Sequence, residues 1–113
     1  MNNQCSPDYN PSMPDSDKEI ALEAQLASLA KAISHPARIR ILKVLLTLDK
    51  NNGCLNSDLV SELGLAQSTV SEHLRILKAA DLITAEPIPP RMCYRINKET
   101  LTKINSVFNH IFM

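Results

Sequence analysis

The stretch from Leu59 to Ile83 reads LVSELGLAQSTVSEHLRILKAADLI, and two helix-periodic apolar runs flank a break in it at Gly64. The first run predicts a short helix over 57–63, capped by Asn56 or Ser57 and closed by Gly64 in the manner of a C-cap. The second predicts a helix over 67–80 with Val70, Leu74 and Leu77 facing inward. That helix opens on a cluster of small hydroxyl and amide side chains, Gln67, Ser68, Thr69 and Ser71. Burial requires an apolar face, but it does not require a first turn crowded with exposed hydrogen-bonding groups. A short helix, a Gly-containing turn and a second helix with a polar N-terminal face describe a helix-turn-helix. In DNA-binding versions the second helix enters the major groove and its N-terminal residues meet base edges.

On a helical wheel with Val70 at zero, Ser68, Glu72 and Arg75 point away from the apolar stripe. Ser71 lies at its flank and Gln67 at the open N-terminal end. Gln can read adenine, Ser and Thr can meet bases or phosphates, and Glu can accept from cytosine N4. The free N–H groups of the first turn can hold a phosphate. A structural account competes at two points. Polar residues also finish helix ends, and Glu72 also stands at i, i+3 from Arg75 for a helix-surface pair.

Upstream, Asp15 or Ser16 can cap a helix running to Ser34, with Leu22, Leu26, Leu29 and Ile33 on one stripe. His35-Pro36 breaks it and starts another, Pro36 being suited to a first-turn position. This second helix, 36–49, has apolar residues nearly all round and is predicted to lie at the centre of the fold. Asn51-Asn52-Gly53 is a turn, and Cys54-Leu55 a very short strand. Downstream the period changes: Leu82–Ala85 and Met92–Ile96 read as strands around the proline-rich tip Pro87-Ile88-Pro89-Pro90-Arg91. The hairpin follows the helix-turn-helix as a wing would, with Arg91 placed to reach an adjacent groove or the DNA backbone. A last helix, 98–112, sets Leu101, Ile104, Phe108, Ile111 and Phe112 on one broad face.

The order helix, helix, short strand, helix, helix, hairpin, helix predicts a mainly α (α+β) winged helix-turn-helix over 17–113. Residues 1–16, with three prolines and three asparagines, read as a disordered leader. The terminal helices carry more apolar surface than a small domain buries alone, which predicts a homodimer joined through them.

The chain has 113 residues and a formal net charge of zero, which at first argues against a nucleic-acid partner. The distribution reverses that: residues 1–30 hold five acids and one base, whereas 31–113 hold eleven bases and seven acids. Arg38, Arg40, Lys43, Lys78 and Arg95 are candidate phosphate contacts, although Arg38 and Arg40 equally suit a solvated face or structural ion pairs. There is no apolar run long enough for a bilayer and no signal-peptide pattern, so a cytoplasmic protein with no membrane partner is expected. The sequence holds no acid/base pair, Gly-rich phosphate loop or nucleophile–His arrangement at readable spacing, and an enzyme is not expected. The rival to a DNA reader is a winged helix that binds only protein, supported by the zero net charge and Glu72.

The stretches LAKAISHPARIRILKVLL, LAQSTVSEHLRILKAADLI and MCYRIN resemble the ArsR/SmtB family of winged-helix repressors over residues 22–112. The resemblance implies a homodimer on a pseudo-palindromic operator in double-stranded DNA, released by an inducer that is usually a metal ion or thiol-reactive species. It also implies that Gln67, Ser68, Thr69, Ser71 and Glu72 face DNA, with His73 and Arg75 beside them. Two departures stand out: Ala66 occupies a position where the family often has a capping Ser, and Glu72 one where a cation or neutral group would be easier to place near DNA. Metal-sensing members use a Cys-x-Cys at the third helix or Asp/His clusters on the last. Here Cys54-Leu55-Asn56 keeps one thiol, and the last helix offers only His110, so no metal site and no cofactor are expected.

The three cysteines, Cys5, Cys54 and Cys93, are odd in number and widely spaced, which argues against a disulfide framework. In a winged helix, however, the short strand pairs with the second hairpin strand and would set Cys54 beside Cys93. Either the two form a dithiol switch, answering oxidant or a soft metalloid, or they are small apolar fillers of the sheet.

Overall fold

The computed structural model describes residues 16–56 and 63–113. Most of the expected leader and the helix expected over 57–63 therefore lie outside the described residues, as does Cys5. Helix α1, Asp17–Ala32, starts at Ser16, whose hydroxyl accepts from the Glu19 amide at 3.2 Å. It ends two residues short of the expected Ser34, because Ile33 leaves helical geometry as its C-cap. Helix α2, Pro36–Asp49, opens with Pro36 in the first turn, and the His35 ring nitrogen Nδ1 accepts from the Ala37 amide at 3.0 Å.

Helix α2 buries Ile41, Leu42 and Leu45, and these meet Leu29, Val70, Leu74, Leu77, Leu82 and Ile83 in one core. Each such aliphatic side chain contributes ~1.5–3 kcal/mol on burial. The helix is thus central on one side only, since Ile39 is exposed. Leu63 and Gly64 enter the helix-turn-helix: Leu63 is buried, and Gly64 sits at φ 73°, a left-handed conformation that disfavours a side chain.

Helix α3, Gln67–Ala79, ends on a Schellman closure. Asp81 takes a left-handed φ of 64°, its amide donates to the Lys78 carbonyl, and the Leu82 amide donates to Leu77. The apolar contact that such a closure brings together is Leu77 with Leu82, both fully buried.

Three strands follow the order β1-β3-β2, all antiparallel. Strand β1 is Leu55–Asn56, one residue later than expected; β2 is Ile83–Ile88 and β3 is Arg91–Ile96. Pairing continues to Ile88 opposite Arg91, so the expected five-residue tip contracts to Pro89-Pro90, joined by a cis peptide. Pro87 is tolerated within β2 because β2 is an edge strand and one side of it needs no donor. Helix α4, Lys98–Phe112, is capped by Asn97, whose side-chain oxygen accepts from Thr100 and whose amide group donates to the Asp81 carbonyl. It packs beside α1, and His110 and Glu19 join the two helices at 2.9 Å. No helix among the described residues is long and apolar enough to cross a membrane.

Candidate nucleic-acid interface

Helix α3 has two faces of opposite chemistry. Val70, Leu74 and Leu77 are buried, as the periodicity predicts. Gln67, Ser68, Thr69, Ser71, Glu72, Arg75 and Lys78 are exposed and form a polar ridge. The N-cap Ala66 gives its helix no side-chain hydrogen bond, so the missing cap is a feature of the folded chain. The ridge borders the wing: one groove is lined by Ser71, Arg75 and Lys78 from α3 with Met92 and Tyr94 from β3, and another by Gln67 and Pro90. Arg91 is exposed at the start of β3.

Glu72 and Arg75 pair with each other. Arg75 Nε donates to Glu72 Oε1 at 2.8 Å and Nη2 to Oε2 at 2.7 Å, the Arg75 side chain being 66% and the Glu72 side chain 56% exposed. The hydrogen bond from Arg75 holds the Glu72 carboxyl below its ordinary pKa, and the carboxylate in turn raises that of Arg75.

His73 corrects the expectation that it faces DNA: it is only 6% exposed and lies inside the domain. Its Nδ1 is 3.1 Å from Arg38 Nη1, and its ring centroid is 4.6 Å from that of His35. A guanidinium can only donate, so Nδ1 must accept and the neutral ring carries its proton on Nε2. That buried Nε2 has no hydrogen-bond partner among the described residues. Burial lowers the His73 pKa, and the charges of His35 and Arg38 lower it further.

Arg38 makes hydrogen bonds within the domain instead of an ion pair, since Nε also donates to the Ala32 carbonyl at 2.7 Å. Arg95 is likewise engaged, with Nη1 donating to the Asn52 and Gly53 carbonyls at 3.4 and 3.2 Å, which draws it toward the turn before β1. The Arg38–His35–His73 cluster was missed as a unit in the sequence. The signal was present, because His73 falls three residues after Val70 and four before Leu77, on the buried stripe.

Cys54 and Cys93 are brought together as a disulfide across 39 residues of sequence, with Cα atoms 5.6 Å apart. The register sets Asn56, not Cys54, opposite Cys93, so the link runs diagonally from the residue before β1. No group of three metal-ligating side chains occurs among the described residues.

The family model for bacterial regulatory proteins of the arsR family matches residues 35–85. An uncharacterized HTH-type transcriptional regulator of Mycobacterium tuberculosis is 35% identical over 81 residues, covering 72% of this chain and 68% of the relative. The HTH-type transcriptional repressor SmtB of the same species is 37% identical over 76 residues, covering 67% of this chain and 53% of the repressor. Among solved structures, a homodimeric winged helix-turn-helix DNA-binding domain from Mycobacterium bovis superposes with a TM-score of 0.64 at 26% identity, covering 87% of each chain. The buried stripe, the polar ridge and the adjoining wing thus sit in a fold and a sequence that agree, and the chain belongs to the ArsR family of DNA-binding helix-turn-helix transcription regulators.

Proposed function

We propose that the chain is a cytoplasmic repressor that acts as a homodimer on a pseudo-palindromic operator. The observation that carries this reading is the polar ridge of α3 standing over its fully packed stripe and flanked by the wing. Gln67, Ser68, Thr69 and Ser71 meet base edges or phosphates, and the uncapped first-turn amides of α3 donate to a phosphate. Arg91 reaches the neighbouring groove or backbone, and Lys78 contacts phosphate. The dimer forms through α1 and α4. Phe108 and Phe112 are 47% and 62% exposed there, beside a trough of about 390 Å³ lined by Leu26, Ala27 and Ala30.

Cys54 and Cys93 act as a redox-controlled clasp between the loop before β1 and the wing strand. Oxidation by a disulfide or peroxide joins the two thiols, the oxidant taking up two electrons and two protons. The reduced pair is also suited to a soft metalloid.

A duplex-binding assay across a salt series tests the DNA reading. A protein neutralising six or more phosphates loses on the order of 1,000-fold in affinity between 50 and 200 mM salt. Binding that ignores salt would leave a module that recognises protein alone. Free thiols titrated alongside affinity, with and without oxidant or arsenite, test the clasp. An affinity that stays constant in wild type and in Cys54→Ser excludes it.

A further inference from the structure

We propose that Arg75 reads a guanine in the major groove and that Glu72 is the positioning residue that aims it. This rests on the reading of α3 as the helix that enters the groove. Glu72 and Arg75 occupy successive turns of the exposed ridge, and Ser68 and Ser71 share it. Their pairing is side-on: Arg75 commits Nε and Nη2, and each carboxylate oxygen takes one of the two bonds.

A guanidinium has a second usable edge, formed by Nη1 and the remaining N–H of Nη2. Among the described residues Glu72 is the only hydrogen-bond partner of Arg75, so that end-on edge is open. Guanine is the base whose major-groove edge offers two adjacent acceptors, O6 and N7, at the spacing of a guanidinium edge. The carboxylate removes rotational freedom from a long side chain before binding, which is what preorganisation requires. The pairing also accounts for an acid on a surface that approaches phosphate. Glu72 is matched by a cation one turn away, and Arg75 keeps its pKa down so that it stays ionised as a hydrogen-bond acceptor. Each carboxylate oxygen gives one lone pair to Arg75, and on this proposal the task of Glu72 is to position that side chain rather than to read cytosine.

The test is selection of duplexes from a random pool by the full chain, followed by affinities for the selected site and its single-base variants. Wild type is expected to enrich one guanine in each half-site, and replacing that guanine by 7-deazaguanine, which lacks the N7 acceptor, should weaken binding. Arg75→Ala should lose about tenfold or more at the guanine site and accept any base there, keeping the other preferences. Glu72→Gln should move two readouts in opposite directions. Discrimination for the guanine falls several-fold, while binding to unrelated duplex tightens because a negative charge is gone. Circular dichroism and thermal melts confirm that each variant is folded.

A guanine preference that survives in Arg75→Ala overturns the proposal. So does a Glu72→Gln protein that binds every duplex more tightly with unchanged discrimination, because Glu72 would then only repel. Failure of wild type to enrich any sequence is a different outcome, and it would remove the DNA-reading role of α3 itself.

Discussion

Helix α3 carries two arginine contacts, one on each face, and they do different work. On the inner side Arg38 reaches across from α2 to the buried Nδ1 of His73 and holds the Ala32 carbonyl as well. On the outer side Arg75 is held by Glu72, its neighbour one turn away on the same helix. The inner contact ties three segments together at the buried His73 and Ala32, so each lost bond strands a polar group of a buried residue. The outer contact ties nothing beyond its own helix, and water can replace either partner. One positions the helix; the other is available for exchange with a ligand.

The largest expected effect breaks the inner contact. Arg38→Ala leaves His73 Nδ1 and the Ala32 carbonyl without their donor, at a cost of about 2–3 kcal/mol. For a domain of this size the thermal midpoint should fall on the order of 10 °C. Arg75→Ala should leave the midpoint where it is, since exposed ion pairs contribute little to folding. Equal destabilisation by the two variants in thermal or urea melts would erase the distinction. Duplex binding should respond inversely: Arg38→Ala should weaken binding to all sequences alike, Arg75→Ala at its own base.

The same contrast explains what could be read from the sequence. The stripe Val70, Leu74 and Leu77 and the polar ridge were legible because a helical period is a local property. The strand pairing of β1 with β3 was legible through topology, and with it the approach of Cys54 to Cys93. The partners of the cations were not legible. Arg38 finds His73 across 35 residues and Arg95 finds Gly53 across 42, and neither separation leaves a periodic trace. The family resemblance sets His73 beside the DNA face, whereas its spacing sets it on the apolar stripe. The short wing tip was hidden for another reason. Prolines normally end strands, and only the edge position of β2 allows Pro87 to remain in one.

A smaller effect tests whether stability and base choice separate along α3. Ala66→Ser supplies the hydroxyl that the N-cap lacks, which is worth ~1 kcal/mol. The midpoint should rise by about 4–8 °C. The preferred sequence in duplex selection should stay the same, because the substitution adds a cap bond and leaves every side chain of the ridge in place. A changed preference would mean that the cap position itself takes part in base choice.

Acid should separate the two contacts with the smallest effect of the three. Burial, followed by the charges of His35 and Arg38, holds the folded pKa of His73 below its ordinary 6.5, with Glu72 opposing the shift. Above that value the ring is neutral in both folded and unfolded chains, and its contribution to stability is fully present. As pH falls below it the unfolded chain takes the proton first, so stability declines until the folded ring titrates as well. Protonation places N–H on Nδ1, facing a guanidinium that can only donate, and the inner contact is lost. The outer contact persists to lower pH, because Arg75 holds the Glu72 carboxyl below the usual carboxylate range. Urea melts from pH 8 to pH 5 should therefore show a decline in wild type that is reduced in His73→Asn, whose side-chain oxygen can still accept from Arg38. If the two proteins decline in parallel, the acid sensitivity belongs to other groups and the inner contact is not its source.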